Sequence, residues 1–252
     1  MNKSTKIKLL ATMLILGGFG HTATAQEDRP TEMSRFESSV YLNVGVPVGA
    51  FGQSCKPFVN AEGLPALTRV GIAKDACIGL GGTYRGSMVF ALNNGYIIPS
   101  IEASLFWNSI SSDSREVFED QRANHPDYIN VPILVGITYR HPIKDNLKAF
   151  GEFGIGYDLM FITRDGKKDA SHCYSYAASG AMAWQIGAGV MMGRHFSVGL
   201  HYFGLGKHLI DYTSNSNVYI NPEYTKIDKD AERDRVEYRR IGTLTLRIGF
   251  HF

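Results

Sequence analysis

Eight segments of this chain alternate between apolar residues and polar or small ones, and a period of two is the mark of a strand with two different faces. From Ser39 onward, Val40, Leu42, Val44, Val46 and Val48 share one side, with Tyr41, Asn43, Gly45 and Gly49 on the other. Cys77 to about Phe90 sets Ile78, Leu80, Tyr84 and Met88 against Gly79, Gly81, Thr83, Arg85 and Ser87. The third segment opposes Ile97, Ile101, Ala103, Leu105 and Trp107 to Ser100, Glu102, Ser104 and Asn108. The fourth, Tyr128 to Arg140, opposes Ile129, Val131, Ile133, Val135, Ile137 and Tyr139 to Asn130, Gly136, Thr138 and Arg140. In the fifth, Phe153, Ile155, Tyr157, Leu159 and Phe161 alternate with Glu152, Gly154, Gly156 and Asp158, and in the sixth Met182, Trp184, Ile186, Ala188, Val190 and Met192 alternate with Gln185, Gly187 and Gly189. The seventh sets Phe196, Val198, Leu200 and Tyr202 against Ser197, Gly199 and His201; the eighth sets Leu244, Leu246, Ile248, Phe250 and Phe252 against Thr245, Arg247, Gly249 and His251.

The connections fall into two alternating kinds. Those after the second, fourth and sixth segments are short, whereas the others run from about 15 to about 30 residues, far above ordinary hairpin lengths. Short turns on one rim and long loops on the other predict an all-β fold, an eight-stranded antiparallel up-and-down transmembrane β-barrel with its long loops outside the cell. Asn94-Gly95 predicts a two-residue hairpin loop that pairs Asn93 with Tyr96, Met88 with Ile101 and Ser87 with Glu102. Both apolar faces then fall on one side of the hairpin.

Composition agrees with strands. The chain has 252 residues, 44% of them hydrophobic, with 27 Gly, 14 Phe and 13 Tyr. A net charge of +2 argues against a strongly basic nucleic-acid binder and an acidic disordered tail. Residues 1–25 read as a signal peptide: Lys3, Lys6 and Lys8 precede an apolar run from Leu9 to Phe19, and Ala23-Thr24-Ala25 supplies the cleavage pattern at Ala23 and Ala25. Residues 26–37 then form a short periplasmic segment and 38–252 the barrel. Beyond the leader no apolar stretch is long enough for a membrane helix, so a membrane location requires a closed barrel.

A soluble barrel also alternates. Here, however, the polar face is mostly Gly, Ser, Thr and Asn with isolated charges, which suits a narrow lumen better than a water-facing wall. Trp107, Tyr139, Trp184, Phe196 and Phe252 stand near the ends of the apolar face, as interfacial girdles do.

The stretch from Thr243 to Phe252 ends the chain inside a strand, and with Phe250 and Phe252 it resembles the C-terminal signal that outer-membrane barrels present to their assembly machinery. Residues 38–252 resemble the outer-membrane β-barrel domain family, with its OmpA-like and PorT-like members, most of all in Asn130-Val131-Pro132-Ile133-Leu134-Val135-Gly136 and Phe150-Gly151-Glu152-Phe153-Gly154-Ile155-Gly156. The resemblance implies an outer-membrane location, a lipid environment and a barrel-assembly partner. It implies no chemistry.

Counted up from the turn ends, Arg85, Glu102, Glu152, His201 and Arg247 reach the inward face at similar heights, and buried charges must be paired. A lumen network is expected, with Arg85 and Glu102 meeting across the hairpin diagonal. It acts either as a rigid plug or as the lining of a narrow pore for ions or very small solutes. Cys55 and Cys77 bracket the first long loop and can bridge it in an oxidising compartment; free thiols or another pairing are the alternative, and Cys173 is left over. Three scattered cysteines and no His-Cys cluster speak against a metal site.

His195-Phe196-Ser197 resembles the His-x-Ser spacing of barrel lipid-A deacylases, but it sits at the wrong rim and has no evident acid, so no enzyme is expected. No cofactor is expected either. The last long loop interleaves charges from Asp228 to Arg235 and carries Tyr212, Tyr219 and Tyr224, residues suited to an extracellular ligand. The reading is a structural or surface-interaction barrel, with a narrow pore as the alternative and a lipid-modifying envelope enzyme as a distant one.

Overall fold

The computed structural model describes residues 35–53, 58–59, 65–66, 73–120, 123–167, 172–216 and 233–252; the expected signal peptide, with Ala23 and Ala25, lies outside them. Its frame is eight long strands. They are β1 (Arg35–Pro47), β2 (Gly79–Leu92), β3 (Gly95–Ser109), β4 (Asp127–Lys144), β5 (Leu147–Ile162), β6 (Ser179–Met192), β7 (Phe196–Ser216) and β8 (Arg233–His251). Each pairs antiparallel with its neighbours in the chain. The ring closes where β1 meets β8, with Ser39 opposite His251 and Leu42 opposite Ile248. Closure leaves the eight-stranded ring with no edge in need of a partner.

The two faces are the reverse of a water-soluble barrel. Leu42, Ile101, Val135, Ile155, Met182 and Leu200 all point outward and are more than half exposed, while Ser39, Asn43, Thr83, Ser104, Gln185 and Thr245 are buried inside. Only lipid favours such an exterior, and only a closed ring satisfies the backbone there. Among the described residues no helix is long and apolar enough to cross a membrane.

Three short turns lie at one end. In the first, Leu92 pairs with Gly95 and Arg85 directly faces Glu102. The turn residues are therefore Asn93-Asn94, one position earlier than Asn94-Gly95 suggests. The ladder has moved by two in summed register, which preserves every face and converts the expected Arg85–Glu102 diagonal into a direct cross-strand pair. The second turn joins Lys144 to Leu147. The third joins Met192 to Phe196, with Gly193 at φ +63°, a conformation that favours glycine.

The other end carries the long connections. A helix that the strand pattern does not predict, α1 (Ser112–Asp120), lies there, with Ser111 Oγ accepting the Ser114 N–H at 3.3 Å as its cap. On one side the wall rises further: Tyr176 pairs with Tyr212 of β7, Cys173 with Gly166, and Asn124 with Gly166. β7 and β8 run well past the alternation that ended near Tyr202 and began near Thr243. The reason is a register shift between Gly204 and Gly206, where Gly206 has φ +89° and resets the inward phase from Leu205 to His208.

β1 begins at Arg35, three residues before the expected boundary at 38, so Glu37 belongs to the barrel rather than to a periplasmic segment. The lumen is also less uniformly polar than expected. Phe106, Tyr128, Leu134, Met160, Phe203 and Ile210 point inward and form one apolar cluster in its loop-side half.

Candidate functional site

Inward side chains fill the lumen in three tiers, stacked from the turn end upward. In the lowest, Arg140 grips Glu37 with both terminal nitrogens, at 3.2 Å to Oε2 and 2.9 Å to Oε1. His251 lies between that carboxylate and Ser197, with Nδ1 3.0 Å from Glu37 Oε1 and Nε2 2.8 Å from Ser197 Oγ. Ser39 Oγ is also 2.8 Å from Nδ1. These five side chains come from β1, β4, β7 and β8 and so tie opposite parts of the wall together.

The middle tier holds the five residues singled out by their inward phase and height. Arg85 Nε donates to Glu102 Oε2 at 2.9 Å and its terminal nitrogen lies 2.6 Å from the same oxygen. Arg85 also reaches Glu152 at 2.7 Å. Arg247, 1% exposed, contacts Glu152 at 3.0 Å and Glu102 at 3.4 Å, and donates to Gln185 Oε1 at 3.3 Å. His201 Nδ1 approaches Glu152 at 2.9 Å, though without the alignment of a good hydrogen bond. Tyr41 caps both cations, its ring centre 4.2 Å from the Arg247 guanidinium carbon and 5.0 Å from that of Arg85.

Two arginines against two glutamates make this tier neutral in sum, which is how four charges can share a narrow low-dielectric space. Small residues leave room for the long side chains. The His201 ring lies over its cross-strand partner Gly187, where a side chain would collide with it.

In the upper tier the Phe106 and Phe203 rings meet edge to face with centres 4.9 Å apart, and Phe51 packs similarly on Tyr128 at 5.4 Å. One polar pair is embedded among these residues. Asp158 Oδ2 stands 3.1 Å from His208 Nε2, which also lies 2.7 Å from the Leu205 carbonyl. Both side chains are fully buried.

The alternation of the sequence does not single out the lowest and upper tiers. Arg140 and His251 already stood on the polar face, and Glu37 continues the inward phase of Ser39 and Tyr41 by one step. Phe106, Leu134 and Met160 occupy inward positions of otherwise polar faces, where the period-two pattern alone gives no sign that they meet.

The remaining candidates do not converge on chemistry. The His195 ring stacks on Phe250 outside the barrel, with its Nδ1 2.7 Å from the His251 carbonyl, while Ser197 points inward to His251. The two therefore form no pair. Phe250 and Phe252 pack edge to face at 5.1 Å on the exterior. Cys77 donates weakly to the Ile78 carbonyl at 3.6 Å; its suggested partner Cys55 lies outside the described residues. Among the described residues no three metal-ligating side chains cluster.

An apolar exterior, a closed ring of eight antiparallel strands and a charge-neutralised interior together define an eight-stranded β-barrel of the outer-membrane type. No family model matches the chain, and no curated protein matches it. Among solved structures it is similar in shape to OprG from Pseudomonas aeruginosa, at 11% identity and a TM-score of 0.42, over 88% of this chain and 97% of that one. It is also similar to Ail, the attachment invasion locus protein of Yersinia pestis, at 14% identity and a TM-score of 0.37, over 88% of this chain and all of the other. The outer membrane enzyme PagL matches at 14% identity and a TM-score of 0.38, over 84% of this chain and 97% of its own.

Proposed function

We propose that this protein is a closed outer-membrane barrel whose work is structural and surface-directed: it holds a rigid wall in the membrane and presents its long loops at the cell surface. The observation that carries this reading is the continuous filling of the lumen. Ion pairs occupy two tiers and aromatic packing the third, and among the described residues this filling leaves little room for a continuous water path in a cylinder of eight strands. The raised β7–β8 hairpin supports the surface role, since a stiff scaffold reduces the ordering cost of any contact its loop makes.

Planar-bilayer recording tests the closed lumen. The purified barrel is expected to give a flat baseline, and Glu102→Lys is not expected to introduce steps. Reproducible channel steps that vanish in Glu102→Lys would favour the pore instead.

A second reading rests on one arrangement. With its proton on Nδ1, His251 donates to Glu37 and accepts from Ser197, the order of nucleophile, base and orienting acid used in acyl transfer. Against it, Ser197 is 2% exposed and Glu37 is already held by Arg140. The closed-barrel reading expects a fluorophosphonate probe to leave Ser197 of the folded protein unlabelled. An adduct at Ser197 that is lost in His251→Ala would establish the hydrolytic site.

A further inference from the structure

On the lipid-facing side, just above the apolar belt, two cations stand directly opposite each other. Lys207 of β7 pairs with Arg240 of β8, and both side chains are exposed. Their outward direction follows from their neighbours, since His208 and Ile241 are buried inside the barrel. Like charges directly opposed across an antiparallel pair destabilise the sheet unless an anion lies between them. Among the described residues neither cation makes an ion pair, and Asp211, the next acid facing outward on β7, stands two outward positions further up the strand.

The surface beneath them is shaped to match. The cross-strand glycines Gly204 and Gly242 occupy the outward positions immediately below the two cations. The Trp184 indole fills the space over Gly204, and the Tyr202 hydroxyl lies 2.8 Å from where a side chain on Gly242 would begin. The two rings are 5.2 Å apart, so they form a continuous aromatic shelf under the cationic pair.

Height places this shelf at a headgroup. From Phe252 at the turn end to Arg240 is twelve residues, about 40 Å along the strand and about 30 Å along the membrane normal at the usual barrel tilt. The apolar band of such barrels is about 25 Å tall. Lys207 and Arg240 thus clear the hydrocarbon on the loop side while Trp184 and Tyr202 lie at the interface, where aromatic side chains with one polar edge belong.

We propose that Lys207, Arg240, Trp184 and Tyr202 form a binding site for a phosphorylated glycolipid of the outer leaflet. The cations take a phosphate between them and the aromatic shelf carries the adjoining sugar and upper acyl chain. The site rests on the orientation that puts the long loops outside, but not on whether the lumen conducts.

The full mature barrel, refolded in zwitterionic micelles, is titrated with diphosphoryl lipid A, with its dephosphorylated form and with inorganic phosphate. Tight binding of diphosphoryl lipid A is expected, weakened about thirtyfold in Lys207→Gln/Arg240→Gln and unchanged in a control of equal charge loss at the turn end, Arg35→Gln/Lys144→Gln. Equal binding of the two lipid forms, or no loss in the Lys207/Arg240 variant, would overturn the proposal. So would inorganic phosphate binding that depends on the same two residues without any preference for lipid A, since the source would then be a free anion. Because the assay is done in micelles, its failure leaves the bilayer recordings, and the closed-barrel reading they test, untouched.

Discussion

Glu152→Leu is expected to destabilise the folded barrel by about 3–5 kcal/mol, the usual result of removing one partner from a buried ionic cluster. Glu152 is touched by Arg85, Arg247 and His201 at once. Its loss leaves two buried guanidinium groups facing the single carboxylate of Glu102. The charge balance of the tier makes a sharper prediction. Arg85→Leu/Glu102→Leu removes one positive and one negative group and leaves Arg247 still paired with Glu152, so it is expected to destabilise less than either single substitution. Urea unfolding in lipid vesicles, read from the change in gel mobility between folded and heat-unfolded forms, measures all four variants. A value below about 1 kcal/mol for Glu152→Leu would mean that water screens the tier as it does surface pairs.

Phe203→Ala is the second large effect. Phe203 is fully buried, meets Phe106 edge to face and lies 5.7 Å from the Arg247 guanidinium carbon, so it joins the apolar tier to the ionic one. Truncation is expected to lower stability by about 3–5 kcal/mol, combining lost burial with a cavity that a hydrogen-bonded wall cannot collapse to fill. Conductance should nevertheless stay at baseline, because the ionic tiers below remain closed. Stable open steps in Phe203→Ala would show that the aromatic tier alone seals the lumen.

Much of the site was legible before the fold. The alternation assigns Arg85, Glu102, Glu152, His201 and Arg247 to the inward face, and a two-sided strand allows no other placement once the apolar face meets lipid. Their heights followed from counting residues up from the short turns. Less visible was Glu37, whose place depends on β1 starting at Arg35, because a strand end has few neighbours in sequence to extend the pattern. Phe106, Leu134 and Met160 were unreadable for a different reason. An apolar residue at an inward position looks like noise until residues from β3, β4, β5 and β7 are seen to converge on it.

The sequence by itself determined the number of strands, their faces and the split between short turns and long loops. These are local properties of a period-two chain, each fixed within one strand or one connection. Only the tertiary structure decided the hairpin register, which moved the first turn to Asn93-Asn94 without changing any face. It alone brought Ser197, His251 and Glu37 into line, paired Lys207 with Arg240 across two strands, and stacked the inward side chains in three tiers. Each of those facts depends on the distance between residues far apart in the chain. That distance is set when the ring closes, by the pairing of β1 with β8.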